Sequence, residues 1–194
     1  MENQDFNKPM NIETSIENLE LFCKISYEKN IKIFLIFGTL LGLYRDGNLI
    51  KGDNDIDLGI FQDQRQDLIN LKENLKNMGF EIIRETKSII TIMRKDNQID
   101  ISVLHKINFP FIGWISGSFY FPKKSLVGFD EINYRNQKYL CPKNTEVILK
   151  HFYGEDWSKP SNKTAKTSVI LFLFQKFMPK NLIRFFVNKF FGSN

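Results

Sequence analysis

The run Asp55-Ile56-Asp57-Leu58-Gly59-Ile60-Phe61 constrains this chain more than any other. In a strand, side chains two residues apart share a face, so Asp55 and Asp57 project together while Ile56 and Leu58 enter a core. Two carboxylates about 5 Å apart repel by roughly 3 kcal/mol at an effective dielectric near 20. Such a strand needs a hydrophobic layer behind it and a counter-charge in front. Residues 31–37 (IKIFLIF) read as a buried strand that stops in a tight turn at Gly38, and Ile99-Asp100-Ile101 places a third carboxylate in a neighbouring strand context.

Hard carboxylate oxygens favour Mg²⁺ or Mn²⁺ over zinc. The chain has only two histidines, and its two cysteines, Cys23 and Cys141, form no CxxC pair. Phosphate oxygens of a substrate would complete the coordination shell, which makes Asp55, Asp57 and Asp100 candidate metal ligands and catalytic groups of a phosphoryl-transfer site. Taken singly, each is equally well read as a solvated strand-end residue. Upstream, Gly38-Thr39 at the head of a short helix presents backbone N–H groups to an anion.

The surrounding pattern is mixed. Residues 11–30 carry Ile12, Ile16, Leu19, Phe22, Cys23 and Tyr27 at helical spacing with Asn11 as N-cap. Short helices are expected over 39–45 and 67–78, the second stopped by Gly79, and strands over 80–84, 89–94 and 98–104, with Lys95-Asp96-Asn97 as a hairpin link. Residues 107–129 keep no steady period and read as loops and short strands. Residues 134–141 read as half of a second hairpin, and Asn144 as the cap of a helix running through Phe152 to Gly154. Helices and strands in this order describe an α+β domain.

Charge is unevenly placed. Residues 157–194 hold seven of the 27 basic residues and none of the 22 acidic ones, so the body is slightly acidic despite a net charge of +5. That distribution argues against a nucleic-acid binder. Within residues 169–191, seven Phe accompany Lys176, Lys180, Arg184 and Lys189, with Pro179 between the halves. This is the pattern of basic amphipathic helices that either meet an anionic membrane surface or pack on the protein. The polar N-terminus lacks a signal-peptide core, and the longest apolar run is six residues, 169–174. The expectation is a cytoplasmic enzyme, peripheral on the cytoplasmic face of the membrane.

The order Phe37-Gly38-Thr39, Asp55-Ile56-Asp57, Ile99-Asp100-Ile101 resembles the nucleotidyltransferase fold shared with polymerase β. More narrowly, residues 38–60, GTLLGLYRDGNLIKGDNDIDLGI, resemble the LicD and fukutin-type phosphotransferases, whose signature has the form GTLLGxxRxGxxIxxDxDID. The match is gapless at Gly38, Thr39, Leu40, Leu41, Gly42, Arg45, Gly47, Ile50, Asp53, Asp55, Ile56 and Asp57. A second match runs from Pro142 to Tyr153-Gly154-Glu155-Asp156-Trp157 and Pro160, so the resemblance covers about residues 15–160. The chain departs from the family at Asp46, where His is frequent, at Gly52, where Trp is, and at Asn54, which interrupts an acidic triplet.

The resemblance implies a nucleotidyltransferase-like mixed sheet flanked by helices over 1–160, followed by the basic tail 161–194. It implies transfer of a phospho-substituent, such as phosphocholine or a phospho-polyol, from a CDP-activated donor to a hydroxyl of a glycan or lipid-linked glycan. Asp55, Asp57 and Asp100 would hold Mg²⁺ or Mn²⁺, Asp100 would take the acceptor proton, Gly38 and Thr39 would cradle phosphate, and Arg45 would neutralise it. Arg45 is alternatively a surface arginine closing a helix. Asp53 is either an outer acid or a loop cap, and Tyr153 and Trp157 either stack on substrate or lock the last helix. His105 and His151 read as structural. Two other functions use the same features: transfer of a nucleoside monophosphate from a triphosphate, and an inactive membrane-bound scaffold, which the full carboxylate trio disfavours.

Overall fold

The structure is a computed structural model that describes residues 8–108, 112–161 and 164–166. Its centre is a mixed sheet of β1 (Phe34–Leu35), β2 (Asp55–Phe61), β3 (Glu81–Glu85), β4 (Ile89–Arg94), β5 (Asn97–Ile107), β6 (Gly113–Ser116), β7 (Phe119–Pro122), β8 (Phe129–Tyr134) and β9 (Gln137–Pro142). The strands lie in the order β3-β4-β5-β2-β1-β9-β8, and β6 and β7 continue from the far end of β5. β2 with β5 and β1 with β9 are parallel; the other neighbours are antiparallel. The helices are α1 (Ile12–Glu28), α2 (Phe37–Arg45), α3 (Arg65–Asn70), α4 (Lys72–Asn77) and α5 (Thr145–Tyr153).

α1 starts as its sequence demands: the Asn11 side chain accepts the Thr14 N–H at 3.0 Å, and Ile16, Leu19, Phe22 and Cys23 are buried. Burial in this apolar setting pushes the Cys23 thiol up to about 12, so it behaves as a small hydrophobe. The β4–β5 hairpin turns on Lys95 and Asp96, both at positive φ, as a two-residue loop matched to strand twist requires.

Three features depart from the sequence pattern. Of residues 31–37, only Phe34 and Leu35 join the ladder, because the Ile31 N–H bonds back to Ser26 O at 2.8 Å and Phe37 already turns into α2. The helix expected over 67–78 is two, α3 and α4. At their junction the Leu71 N–H reaches Leu68 O, a tight three-residue step that puts Leu68, Leu71 and Leu75 all in the core. The aperiodic 107–129 stretch holds short strands as expected, the β6–β7 hairpin and the start of β8. Asn144 stands at the cap of α5 but makes no cap bond; its Nδ2 donates to Lys124 O at 2.7 Å.

Phe34 of β1 is 1% exposed, with the Phe61 and Phe129 rings 5.4 and 4.8 Å away. Gly59 lies so close that a Cβ there would sit 2.5 Å from the Phe34 ring. Past α5, the chain returns along it: Lys166 N–H donates to Phe152 O at 2.9 Å. Residues 169–191, the basic aromatic segment, lie outside the described residues. Among the described residues no helix is long and apolar enough to cross a membrane.

Candidate active site

β2 delivers the carboxylates as alternation requires. Ile56 and Leu58 are fully buried, while Asp55 and Asp57 stay partly exposed on the opposite face. Parallel pairing sets Asp57 directly beside Asp100 of β5. Asp53, in the loop entering β2, adds a fourth carboxylate. All four line one cleft of about 500 Å³, with Gly38 and Arg45 from α2, Tyr153 from α5, and Ser161, Thr164 and Ala165 from the segment beyond it. The sequence-derived candidates Gly38, Arg45, Asp53, Asp55, Asp57, Asp100 and Tyr153 thus share one cavity. Thr39 and Trp157 do not line it.

The turn from β1 into α2 shapes the cleft floor. Phe37 adopts φ +42°, a conformation that costs a non-glycine residue about 1–2 kcal/mol. Its ring is clamped by Phe119, Phe152 and Phe121 at 4.6, 4.9 and 5.6 Å, contacts that offset this strain. The turn aims the Gly38 N–H at Asp57 Oδ2, 3.0 Å away. Thr39 is buried, and its Oγ1 accepts the Asp57 backbone N–H at 2.8 Å. It therefore fixes β2 against α2. A Cβ at Gly38 would fall 2.5 Å from Asp53 Oδ2 and 3.2 Å from Asp57 Oδ2. Because these are tips of side chains, Gly38→Ala is expected to fold while displacing both carboxylates. Circular dichroism should be unchanged and turnover should fall about a hundredfold, the scale of a misplaced reacting geometry.

The cleft is electrostatically unbalanced. Burial, then repulsion from Asp53 and Asp100, pushes the Asp55 carboxyl up to about 7. Asp57 is raised well above the usual carboxylate range, by burial first and by Asp55 and Asp53 next, against the lowering by the Gly38 N–H. Burial also raises Asp53. Among the described residues, no basic side chain forms an ion pair with any of these three.

The consequence for stability has a definite sign. Carboxyls that hold their protons more tightly when folded favour the fold below pH 4, and that contribution is lost as pH rises through about 7. Metal-free protein is therefore expected to melt several degrees lower at pH 8 than at pH 5. Even 1–2 kcal/mol of residual effect corresponds to roughly 2–8 °C at this chain length. Thermal denaturation in EDTA against added Mg²⁺ checks this, with the cation restoring the loss.

Arg45 carries its charge into the wall in a fixed pose. Its Nε and Nη2 donate to Asp46 at 2.8 and 2.7 Å, and Nη1 to Trp157 O at 3.4 Å. The bond to Arg45 holds Asp46 below its ordinary range. Trp157 lies 5.8 Å from the Tyr44 ring, tying the chain after α5 to α2. His105 and His151 direct Nε2 to the backbone oxygens of Lys87 and Tyr120, both at 2.8 Å.

Two residues that the sequence reading did not single out complete the acidic face. Thr91 of β4 stands opposite Asp100, and its Oγ1 donates to Asp100 Oδ1 at 2.6 Å. Arg84 of β3 stands opposite Thr91; its Nη2 donates to Asp100 Oδ2 at 2.8 Å and its Nε to Thr91 Oγ1 at 2.9 Å. The signal for Thr91 was a lone hydroxyl in the apolar run Ile89-Ile90-Thr91-Ile92-Met93.

The donor set suits a hard divalent cation: oxygen ligands only, partly buried, mutually repelling and, among the described residues, without an ion-pair partner at Asp55 and Asp57. Among the described residues, no three His, Cys, Asp or Glu side chains close on one point. The carboxylates share the cleft instead, with Asp57 bonded to Gly38 and Asp100 to Arg84 and Thr91.

Residues 30–144 match the family described as LicD/FKTN/FKRP, nucleotidyltransferase domain. The chain belongs to this family. A relative, Uncharacterized protein RP689 of Rickettsia prowazekii (strain Madrid E), is 31% identical over 85 residues, 44% of this chain; the chain spans less than a third of that protein's length. Among solved structures, the chain resembles the crystal structure of ANT(2")-Ia in complex with adenylyl-2"-tobramycin, at 16% identity and TM-score 0.53 over 88% of this chain and 84% of that one. It also resembles the solution structure of the antibiotic-resistance factor ANT(2'')-Ia, at 15% identity and TM-score 0.54 over 90% of each chain. At these identities the likeness shows the fold alone, a nucleotidyltransferase-like mixed sheet with flanking helices. LicD-family membership supports a transferase of the phosphotransferase or nucleotidyltransferase kind.

Proposed function

We propose that this LicD-family chain moves a phospho-linked substituent, such as phosphocholine or a phospho-polyol, from a CDP-activated donor to a hydroxyl of a glycan or lipid-linked glycan. The observation that carries this reading is the Asp55–Asp57 pair, without an ion-pair partner among the described residues, set beside Asp100 and the Gly38 turn in one cleft of about 500 Å³. Asp55, Asp57 and Asp100 would hold Mg²⁺ or Mn²⁺, which when bound neutralises the donor diphosphate.

The chain's own groups do the rest. The acceptor oxygen attacks the donor's outer phosphorus, the bond from that phosphorus to the bridging oxygen breaks, and CMP leaves with the electron pair. Asp100 would take the acceptor proton, since a base must lie within hydrogen-bond reach of the attacking oxygen. Arg45 and the Gly38 turn line the cleft where phosphate would lie; a bidentate contact from Arg45 requires it to leave Asp46. Asp53 acts as an outer acid, and Tyr153 closes one wall. Thr39 supports the site through Asp57, and Trp157 through Arg45. We keep the division into a catalytic body, 1–160, and a basic tail, 161–194, with residues 169–191 bringing the enzyme to an anionic membrane surface.

CDP binding by isothermal titration tests the reading. The expected result is binding that needs Mg²⁺, is lost in EDTA and is lost in Asp55→Asn. CDP affinity unchanged by EDTA would contradict the cation-bridged donor site.

A further inference from the structure

Four side chains stand in one lateral row across four adjacent strands: Asp57 on β2, Asp100 on β5, Thr91 on β4 and Arg84 on β3. Residues directly opposite one another in a sheet share a face, and neighbouring strands lie about 4.8 Å apart. The last member of the row is there because of a bulge. Ile82 pairs with Ile92 and Arg84 with Thr91, so Ile83 is an extra residue on the β3 side. Bulges re-aim side chains in this way. Without it, Ile83 would stand opposite Thr91 and the row would end in an apolar group.

The bonds within the row form a closed ring. Arg84 donates to both Asp100 Oδ2 and Thr91 Oγ1, and the Thr91 hydroxyl in turn donates a hydrogen bond to Asp100 Oδ1. Thr91 is 2% exposed, so its hydroxyl has a built position. Asp100 thus has both oxygens engaged, whereas Asp55 and Asp57 have no ion-pair partner among the described residues. The single cation in the row lies on the side of Asp100 away from Asp57.

We propose that Arg84 is a positioning residue that serves as a tethered counter-ion: with Thr91 it holds Asp100, and a divalent cation entering the cleft must take Asp100 from it. The inference rests on the reading of the cleft as a cation site. It explains why four carboxylates share a cavity without closing on a point in the chain alone. Cation entry and the release of Asp100 from Arg84 become one event, so Arg84 lowers the cation affinity of the empty site and helps keep the unloaded cluster from repelling itself apart.

The test is Mn²⁺ binding to the full chain, read as free Mn²⁺ by electron paramagnetic resonance, with circular dichroism confirming that each variant folds. Arg84→Gln should bind Mn²⁺ about two- to fivefold more tightly than the wild type, the scale of losing one half-exposed competing ion pair. Arg84→Lys keeps the charge but replaces the two nitrogens that hold Asp100 and Thr91 with one ammonium, so its binding should fall between that of Arg84→Gln and the wild type. Thr91→Val keeps the buried shape, removes one of the two holders and should tighten binding by a smaller factor; it carries the test by itself if Arg84→Gln fails to fold. Equal or weaker binding by Arg84→Gln, or by Thr91→Val in that case, overturns the proposal while leaving the cation site intact. Mn²⁺ binding unaffected by Asp55→Asn overturns the cation site itself, and the counter-ion role with it.

Discussion

Asp57→Asn is expected to abolish turnover by about a thousandfold while leaving the metal-free fold as stable as the wild type or more so. The loss has the scale of removing one charged group from an electrostatically organised site. The gain has a separate source. Asp57 is raised well above the usual carboxylate range, by burial first and then by the charges of Asp55 and Asp53, so its ionised form opposes folding at neutral pH. An amide of the same shape still accepts the Gly38 N–H through its oxygen, and its NH₂ can donate to a neighbouring carboxylate. Opposite movement of activity and melting temperature distinguishes a site residue from a packing residue, for which both fall. Steady-state rates at saturating Mg²⁺ and a thermal melt in EDTA suffice to measure it. A variant that keeps near-normal rates would remove Asp57 from the site.

Phe34→Ala should cost about 3–5 kcal/mol, a large part of the 5–15 kcal/mol by which domains of this kind are stable. Phe34 is one of only two ladder residues of β1, pairing with Gly59 on one side and Leu140 on the other. Its ring fills the space that the missing Cβ of Gly59 leaves open and meets Phe61 and Phe129. Truncation leaves a cavity at the Phe34–Leu140 pairing, where among the described residues the strand ladder joins the β2–β5 half of the sheet to the β8–β9 hairpin. Urea unfolding at pH 5, where the acidic cluster opposes folding less than at pH 8, should show a lower midpoint with an unchanged denaturant slope. A midpoint shift of under 1 kcal/mol would mean that the two halves are joined mainly elsewhere.

Local rules carried much of this architecture. Asn11 caps α1 because its side chain matches the free N–H of Thr14, and Asp55-Ile56-Asp57-Leu58 sorts itself across the sheet because strand period is two. The Gly38, Asp55, Asp57 and Asp100 motif was legible because the chemistry needs few residues, close in sequence or set in plain strand contexts. What was hidden depends on lateral register. Arg84 and Thr91 reach Asp100 only through the pairing of β3, β4 and β5, and a one-residue bulge at Ile83 decides that Arg84 arrives there. No period within residues 80–84 shows that. Thr39 was read as a phosphate contact because it follows the motif glycine, but its hydroxyl is engaged with the Asp57 N–H, a bond set by how α2 meets β2. The short span of β1 likewise follows from the left-handed turn at Phe37, which the surrounding phenylalanine rings enforce.

The transfer proposed for the Asp55–Asp57–Asp100 cleft moves an outer phospho-group and releases a nucleoside monophosphate. Phosphorus NMR of the full chain with Mg²⁺, a panel of CDP-linked donors and, separately, nucleoside triphosphates with hydroxylated glycan acceptors measures this directly. The expected result is CMP from a CDP-linked donor together with a new phosphodiester on the acceptor, with both signals vanishing in Asp57→Asn. Release of pyrophosphate from a triphosphate, with no CMP from any CDP-linked donor, would contradict it and assign the same carboxylates to nucleotidyl transfer.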